Sequence, residues 1–374
     1  PLVRAALHER IPAATRASMH RAAATLLRAE AVRADRIALH LLEAAPEGES
    51  WVVETLRSVA RGVSTTDPRS AVALLDRALR EPVQAESRAE LLHELGIASL
   101  NARSAPAAIA HLQAAYDLQD APREKAAVAR DLSLALAALG RYAEATELLL
   151  RAVAALAEVD RDQALALQAE LHQGALMDPA QYVRVRAQFA ALDGEAIAGT
   201  TRGERAMLAA LTTEACLRAL PATKVLAWGS RTFERGLLRD LSAHASLWGN
   251  AAFPLIFADG FDIAEQVIDE ALADARWRSS PIGAVRAYAI RSMLRLRQGR
   301  VLEAETDARA ATDIGLEVKL HVALMPLSVL VEALTEKGEL DAADSALVDA
   351  GSSGPIAERF LESWVLHARG WLRL

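Results

Sequence analysis

A small residue recurs along this chain at nearly constant spacing. Ala71, Ala108, Ala145, Ala264, Ala304 and Ala343 lie 37, 37, 119, 40 and 39 residues apart. A repeat of that length reads as stacked helical hairpins, each too thin to bury its apolar face alone. The interval of 119 is close to three periods, so two degenerate hairpins are expected near residues 185 and 225.

The clearest unit runs from Glu124 to Leu156. Val128, Leu132, Ala135, Leu136 and Leu139 form one apolar stripe at helical spacing, and Tyr142, Ala145, Leu149, Ala152 and Leu156 form a second. Gly140 separates them, a residue tolerant of the positive φ that closes a helix. The pattern predicts an αα-hairpin. The same signature returns at Gly299, Val301 and Ala304 and at Gly338, Leu340 and Ala343, with a looser copy at Asp259, Phe261 and Ala264. Ala71 and Ala108 keep the small position without the Gly. Aromatic residues are only 4% of the chain and no alternating β pattern occurs, so an all-α fold follows.

Gly140, Tyr142, Ala145 and Ala152 resemble the tetratricopeptide repeat (TPR), although these units exceed its usual length and lack its later Pro. The resemblance implies a TPR-like αα-hairpin solenoid, a right-handed superhelix of about seven to eight hairpins behind an N-terminal helical segment.

Residues 1–46 do not follow the repeat. Pro12 breaks a first short helix, a second carries Met19, Ala23, Leu26 and Leu27, and a third carries Ile37, Leu41 and Leu42 before Pro46 and Gly48. Pro1, Leu2, Val3, Arg4, His20, His40, Leu41, Leu42, Trp51, Val52 and Val53 resemble the junction after the ATPase in large ATP-binding (MalT-like) regulators of the LuxR type. That resemblance makes residues 1–46 the tail of an ATPase or winged-helix-like module and 47–374 the TPR-like superhelix, truncated in its last repeat. It implies an ATPase with its ATP and a helix-turn-helix, both outside this chain, and no cofactor within it. The absence of an initiator Met and the next small position, projected near residue 383, lead us to expect a fragment of a longer, bacterial reading frame.

Local signals punctuate the chain. Asp67-Pro68, Asp178-Pro179 and Ser280-Pro281 read as N-caps followed by Pro at the first helical position. Glu81-Pro82 ends the first hairpin, and 86–118 is the second. Asp193 to Gly203 reads as a loop or a change of curvature, with helices following over Arg205–Leu220 and Thr223–Leu238. Pro254 is expected to kink or end its helix. Gly351 to Pro355 closes the last complete hairpin.

A net charge of −7 argues against a general nucleic-acid surface. The single Cys216 excludes an intramolecular disulfide and fits a cytoplasmic protein. No signal peptide opens the chain, and apolar runs such as Leu320 to Val331 fall short of the ~20 residues a membrane helix needs.

No P-loop, Rossmann fingerprint or His pair with metal spacing occurs; Gly351-Ser-Ser-Gly354 is followed by Pro rather than Lys. His8, His20, His40, His93, His111, His172, His244, His321 and His367 are scattered singly and read as surface or inter-helix residues. The pairs Glu332/Glu336 and Asp341/Asp344 read as solvated helix faces. No metal site, catalytic residue or enzymatic activity is expected in this chain.

What remains is a surface. In TPR proteins the first helix of each hairpin lines the groove, which would place Thr212, Thr213 and Cys216 there, then Ser246, Asn250, Phe253 and Phe257. Arg286, Met293 and Arg297 follow, then Met325, Ser328, Glu332 and Glu336. Trp248, Phe253, Phe257 and Phe261 form either an apolar pocket or the core of a degenerate repeat. Arg286, Arg291, Arg295, Arg297 and Arg300 are either an anion site or partly a solvated face. The regulator resemblance implies an inducer or regulatory protein as partner, with room for self-association and without direct nucleic-acid or membrane binding. A stand-alone scaffold binding a peptide or partner protein is the rival, and an all-helical enzyme the third reading.

Overall fold

The computed structural model describes residues 11–237, 247–277, 280–317, 324–355 and 360–374. Pro1 to Arg4, His8, His244, Ser246 and His321, named above, lie outside these residues. Among the described residues there is no strand, and nineteen α-helices carry the architecture. The chain divides into two compact units, Pro1–Ala155 and Leu156–Leu374.

In the first unit α1 (Ala13–Ala29) packs on α2 (Ala34–Glu43), and α2 on α3 (Ser50–Val63). Hairpins follow: α3 with α4 (Pro68–Leu79), α5 (Ala85–Asn101) with α6 (Ala105–Leu118), and α7 (Pro122–Ala138) leading into α8 (Tyr142–Leu156). Leu41, Leu56, Leu91 and Leu95 sit at the centre of the core, fully buried. A buried ion pair closes the junction between α2 and α4. Arg77 and Glu81, with side chains 2% and 1% exposed, meet at 2.9 Å. Glu81 also accepts the backbone N–H groups of Glu47 and Gly48, and Arg77 donates to the Ala44 carbonyl at 3.1 Å. Glu81, expected merely to end a hairpin, is therefore the acceptor that holds the preceding loop.

The second unit continues with α9 (Arg161–Leu176) and α10 (Pro179–Ala190), α11 (Arg202–Leu217) and α12 (Ala222–Phe233), α13 (Leu247–Phe257) and α14 (Phe261–Trp277). Then come α15 (Pro281–Arg297) with α16 (Val301–Glu317), α17 (Leu324–Glu336) with α18 (Leu340–Asp349), and α19 (Phe360–Leu372). Each first helix packs on its own second helix and on the first helix of the next hairpin, from α9 through to α19. Alanines permit the close approach: Ala169, Ala206, Ala209, Ala210 and Ala251 form a buried seam between α9, α11 and α13. The result is the all-α hairpin solenoid the period predicts, and the two degenerate hairpins have their second helices at 179–190 and 222–233, with Val185 and Val225 buried.

One turn recurs at six of the hairpin bends. Arg103, Gly140, Ala219, Asp259, Gly299 and Gly338 all carry positive φ, between 51° and 77°. In each, two backbone N–H groups turn back onto the last helical carbonyls, as Gly140 does to Ala137 and Arg141 to Leu136. Gly is missing at three of these bends, yet the left-handed geometry stays, so packing imposes it rather than local preference. The recurring small residue is the fourth of its helix everywhere except α10 and α12, where Tyr182 and Val225 take that place.

The Asp67, Asp178 and Ser280 side chains cap their helices as expected, each with Pro at the first helical position. Three local expectations need correction. Leu139 is 47% exposed, because α7 has ended one residue earlier and the side chain sits beyond the apolar stripe. Of the two outcomes expected at Pro254, a kink or an end, the end is overturned, since α13 runs on to Phe257. The helix expected over 223–238 stops at Phe233. The loop at 193–203 is real and well anchored: Arg231 donates to the Gly194 and Ile197 carbonyls, and Trp228 donates to Glu195.

Candidate functional site

The second unit holds a cavity of about 250 Å³, lined wholly by its first helices. Helical spacing explains the wall. Gln173, Leu176 and Met177 fall at i, i+3 and i+4 at the end of α9, and Thr213, Cys216 and Leu217 repeat that offset on α11. On α13 the stripe is Asn250, Phe253, Pro254 and Phe257, with Gly249 beside it. Arg286 and Ile290 of α15, Met325 of α17, and Leu361 and Trp364 of α19 complete the lining. Six successive first helices thus meet on one space.

The polar groups are few. Pro254 has no N–H, so the Asn250 carbonyl four residues before it lacks its helical donor. The Thr213 hydroxyl stands 2.7 Å from that oxygen and 3.2 Å from the Ala209 carbonyl, and its one proton goes to the nearer acceptor. The proline is accommodated because α11 supplies the missing hydrogen bond. Arg286 is the only charged residue among the described residues of the lining. Burial pushes its guanidinium down to about 10, with Glu170 on α9 opposing the fall, so it stays cationic at neutral pH. Burial raises the Cys216 thiol, which keeps it protonated and a poor nucleophile.

One aromatic wall stands out. Trp364 lies 5.9 Å from Phe253 and 6.3 Å from Phe257 between ring centroids, both tilted by about a third of a right angle at 33° and 32°. Arg297 lies over the outer ring, 5.6 Å from the Phe257 centroid.

The expected groove residues therefore separate. Thr213, Cys216, Asn250, Phe253, Phe257, Arg286 and Met325 come together around the cavity. Thr212 does not: it is fully buried and donates to the Leu208 carbonyl. Met293 belongs to the hydrophobic core, and Ser328 is buried and bonded to the Met325 carbonyl. Arg297 sits at the rim, 3.5 Å from Asp259. Glu332 is half-buried and outside the lining, and burial raises its carboxyl, so it is not the solvated group expected. Glu336 is exposed and accepts from Trp371. Ser246 lies outside the described residues.

The aromatic set divides too: Trp248 is core, Phe261 packs against the core, and Phe253 and Phe257 are wall. Of the arginine set, Arg291 and Arg295 both engage Asp307, at 2.7 and 2.6 Å, because Asp307 is buried between them. Arg300 pairs with Glu303 at 3.2 Å. Only Arg286 reaches the cavity.

Elsewhere the histidines make inter-helix contacts. His93 meets Asp131 at 2.7 Å and His111 meets Ser99 at 3.3 Å. His172 is buried beside Glu214 at 3.2 Å, and Glu214 also accepts from the Tyr182 hydroxyl at 2.9 Å. Among the described residues no cluster of three or more His, Cys, Asp or Glu side chains could hold a metal, and no helix is long and apolar enough to cross a membrane.

No family model matches the chain, and no curated protein matches it. Among solved structures it is similar to the TPR2AB-domain:pHSP90 complex of yeast Sti1. The identity is 13% over 76% of this chain and 99% of that chain, with a TM-score of 0.30, too low to argue from. The hairpin architecture stands on the helices and turns themselves.

Proposed function

We propose that this chain is the signal-sensing, TPR-like region of a LuxR-type ATP-dependent transcriptional regulator, and that the cavity of its second unit receives the signal. The observation that carries the reading is the meeting of six first helices on one largely apolar cavity. Small-molecule sites are built this way, with apolar walls and a few placed polar groups. An apolar cavity of ~150 Å³ takes a benzene, so about 250 Å³ suits one or two rings.

In this reading residues 1–46 belong to the ATPase module and 47–374 to the sensor, working in the cytoplasm. The ATPase with its ATP and the helix-turn-helix lie elsewhere in the regulator. A bound inducer or regulatory protein biases them only through unequal affinity for two states of the sensor.

The test is a titration of purified 1–374 with the apolar fluorophore N-phenyl-1-naphthylamine. Saturable binding is expected, with loss in a cavity-filling Cys216→Trp variant that keeps its helical circular dichroism. Absence of binding by the wild-type chain, or undiminished binding by the filled variant, sinks the sensor assignment. The chain is also expected neither to hydrolyse ATP nor to bind DNA specifically; ATP turnover abolished by one substitution inside it would refute that.

A stand-alone scaffold for a peptide or partner protein is the second reading. Phe257, 43% exposed at the cavity edge, gives such a partner an apolar foothold.

A further inference from the structure

We infer that the cavity takes an uncharged molecule of one or two rings bearing a single hydrogen-bonding group, which the side-chain amide of Asn250 receives. The inference rests on the cavity being the ligand site proposed above.

Asn250 shares a helix face with Phe253, Pro254 and Phe257, at i, i+3, i+4 and i+7, so its side chain stands on the same wall. The amide offers two donor hydrogens and an acceptor oxygen, and it makes no hydrogen bond to any described residue. The other polar groups of the lining are committed. The Thr213 hydroxyl donates to the Asn250 backbone carbonyl at 2.7 Å. Arg286 and Gln173 are engaged in interactions within the protein, and the Glu170 carboxylate acts on the Arg286 charge. The Cys216 thiol is protonated, and a thiol is only a weak donor and acceptor.

The remaining wall is apolar, and it decides what the ligand cannot carry. A charged group entering it would give up its hydration, with no opposite charge left unengaged to offset the loss. An uncharged hydroxyl or carboxamide loses far less, and Asn250 returns both a donor and an acceptor to it. A second polar group on the ligand would be buried without a partner. The Phe253 and Phe257 rings give the body of the molecule faces and edges to pack on, and Met177 and Met325 adapt to its outline.

The test uses three probes of one shape, 2-naphthamide, 2-naphthoate and 2-naphthamidinium, titrated calorimetrically into the full chain at neutral pH. The amide is expected to bind about tenfold or more tightly than either ion. Asn250→Leu leaves the backbone carbonyl and its bond to Thr213 in place. It should weaken the amide about fivefold and leave unsubstituted naphthalene within about twofold. An ion that binds the wild-type chain as tightly as the amide overturns the inference and leaves the cavity a ligand site. Amide binding undiminished in Asn250→Leu also overturns it, since the polar group is then received elsewhere. Binding of no probe, naphthalene included, removes both the inference and the sensor reading. The wild-type comparison needs no variant, so a folding defect at Asn250 does not obscure the outcome.

Discussion

The first helices of the two units carry opposite chemistry on the same scaffold. In Pro1–Ala155 they meet through charge: Arg57 donates to Glu90 and Glu94 at 2.6 and 2.8 Å, and His93 meets Asp131 beside Arg130. In Leu156–Leu374 they meet around an apolar cavity with one cation. The ionic network has most of its donors and acceptors engaged, Glu94 Oε2 being an exception, whereas an apolar wall with few polar groups has partners still to gain. The hairpin repeat decides where a side chain goes. It leaves open what that side chain does there, and the two units have used that freedom differently.

The comparison breaks most readily at Arg77. Arg77→Met strands the Glu81 carboxylate in a buried site, and a loss of about 3–5 kcal/mol is expected, read as a lower urea midpoint. An unchanged midpoint would show that the first unit does not depend on its ionic junction.

Glu214 tests whether the second unit has a counterpart. Burial alone would raise its carboxyl, but the hydrogen bonds from His172 and Tyr182 outweigh that and hold it below the usual range. Burial and the Glu214 contact in turn push the Tyr182 hydroxyl up to about 12. A folded carboxyl that titrates below its unfolded value near ~4.3 gives stability that is complete above that pH. That stability is lost as pH falls through the folded value. Glu214→Gln should cost about 1–3 kcal/mol at neutral pH and flatten the acid limb of a stability–pH profile. Asp131 is held low by His93 and Arg130 against the same burial, so Asp131→Asn should flatten that limb from the other unit.

Smaller effects sharpen the contrast. Glu332 has a raised carboxyl, mainly through burial, so its charge weakens the fold above the unfolded titration and does nothing in acid. Glu332→Gln should raise the melting temperature slightly at pH 7 and leave it unchanged at pH 3. At the turns, Arg103→Gly and Ala219→Gly exchange a left-handed cost of ~1–2 kcal/mol for a glycine entropy cost of ~0.5–1 kcal/mol. A gain of about 0.5 kcal/mol is expected, and the converse Gly140→Ala should destabilise by a similar amount.

Much of this architecture is legible in the sequence because a repeat states its structure several times. The hairpins whose second helices are 179–190 and 222–233 lack the Gly signature, yet the period alone places them. The cavity follows the same arithmetic: Leu176, Thr213, Asn250, Arg286, Met325 and Leu361 lie 37, 37, 36, 39 and 36 residues apart. Four of these are read from the chain by groove geometry, and extending the register one step each way would have found Leu176 and Leu361. Thr212 is misplaced because neighbouring residues on a helix point about 100° apart, so an error of one position turns wall into core. Met293 shares the face of Arg286 but lies further along α15, where that face packs into the core. The Arg77–Glu81 junction and the Trp364 wall carry no such signal. Their partners lie 33 and about 110 residues away, at positions fixed by packing alone.

Pro254 joins two helices by what it lacks. As long as proline stands there, the Asn250 carbonyl draws the Thr213 hydroxyl proton away from its own helix. With alanine, α13 would recover its own donor, and Thr213 would fall back on the Ala209 carbonyl within α11. One residue of the wall thus decides whether two neighbouring hairpins share a hydrogen bond or each closes on itself.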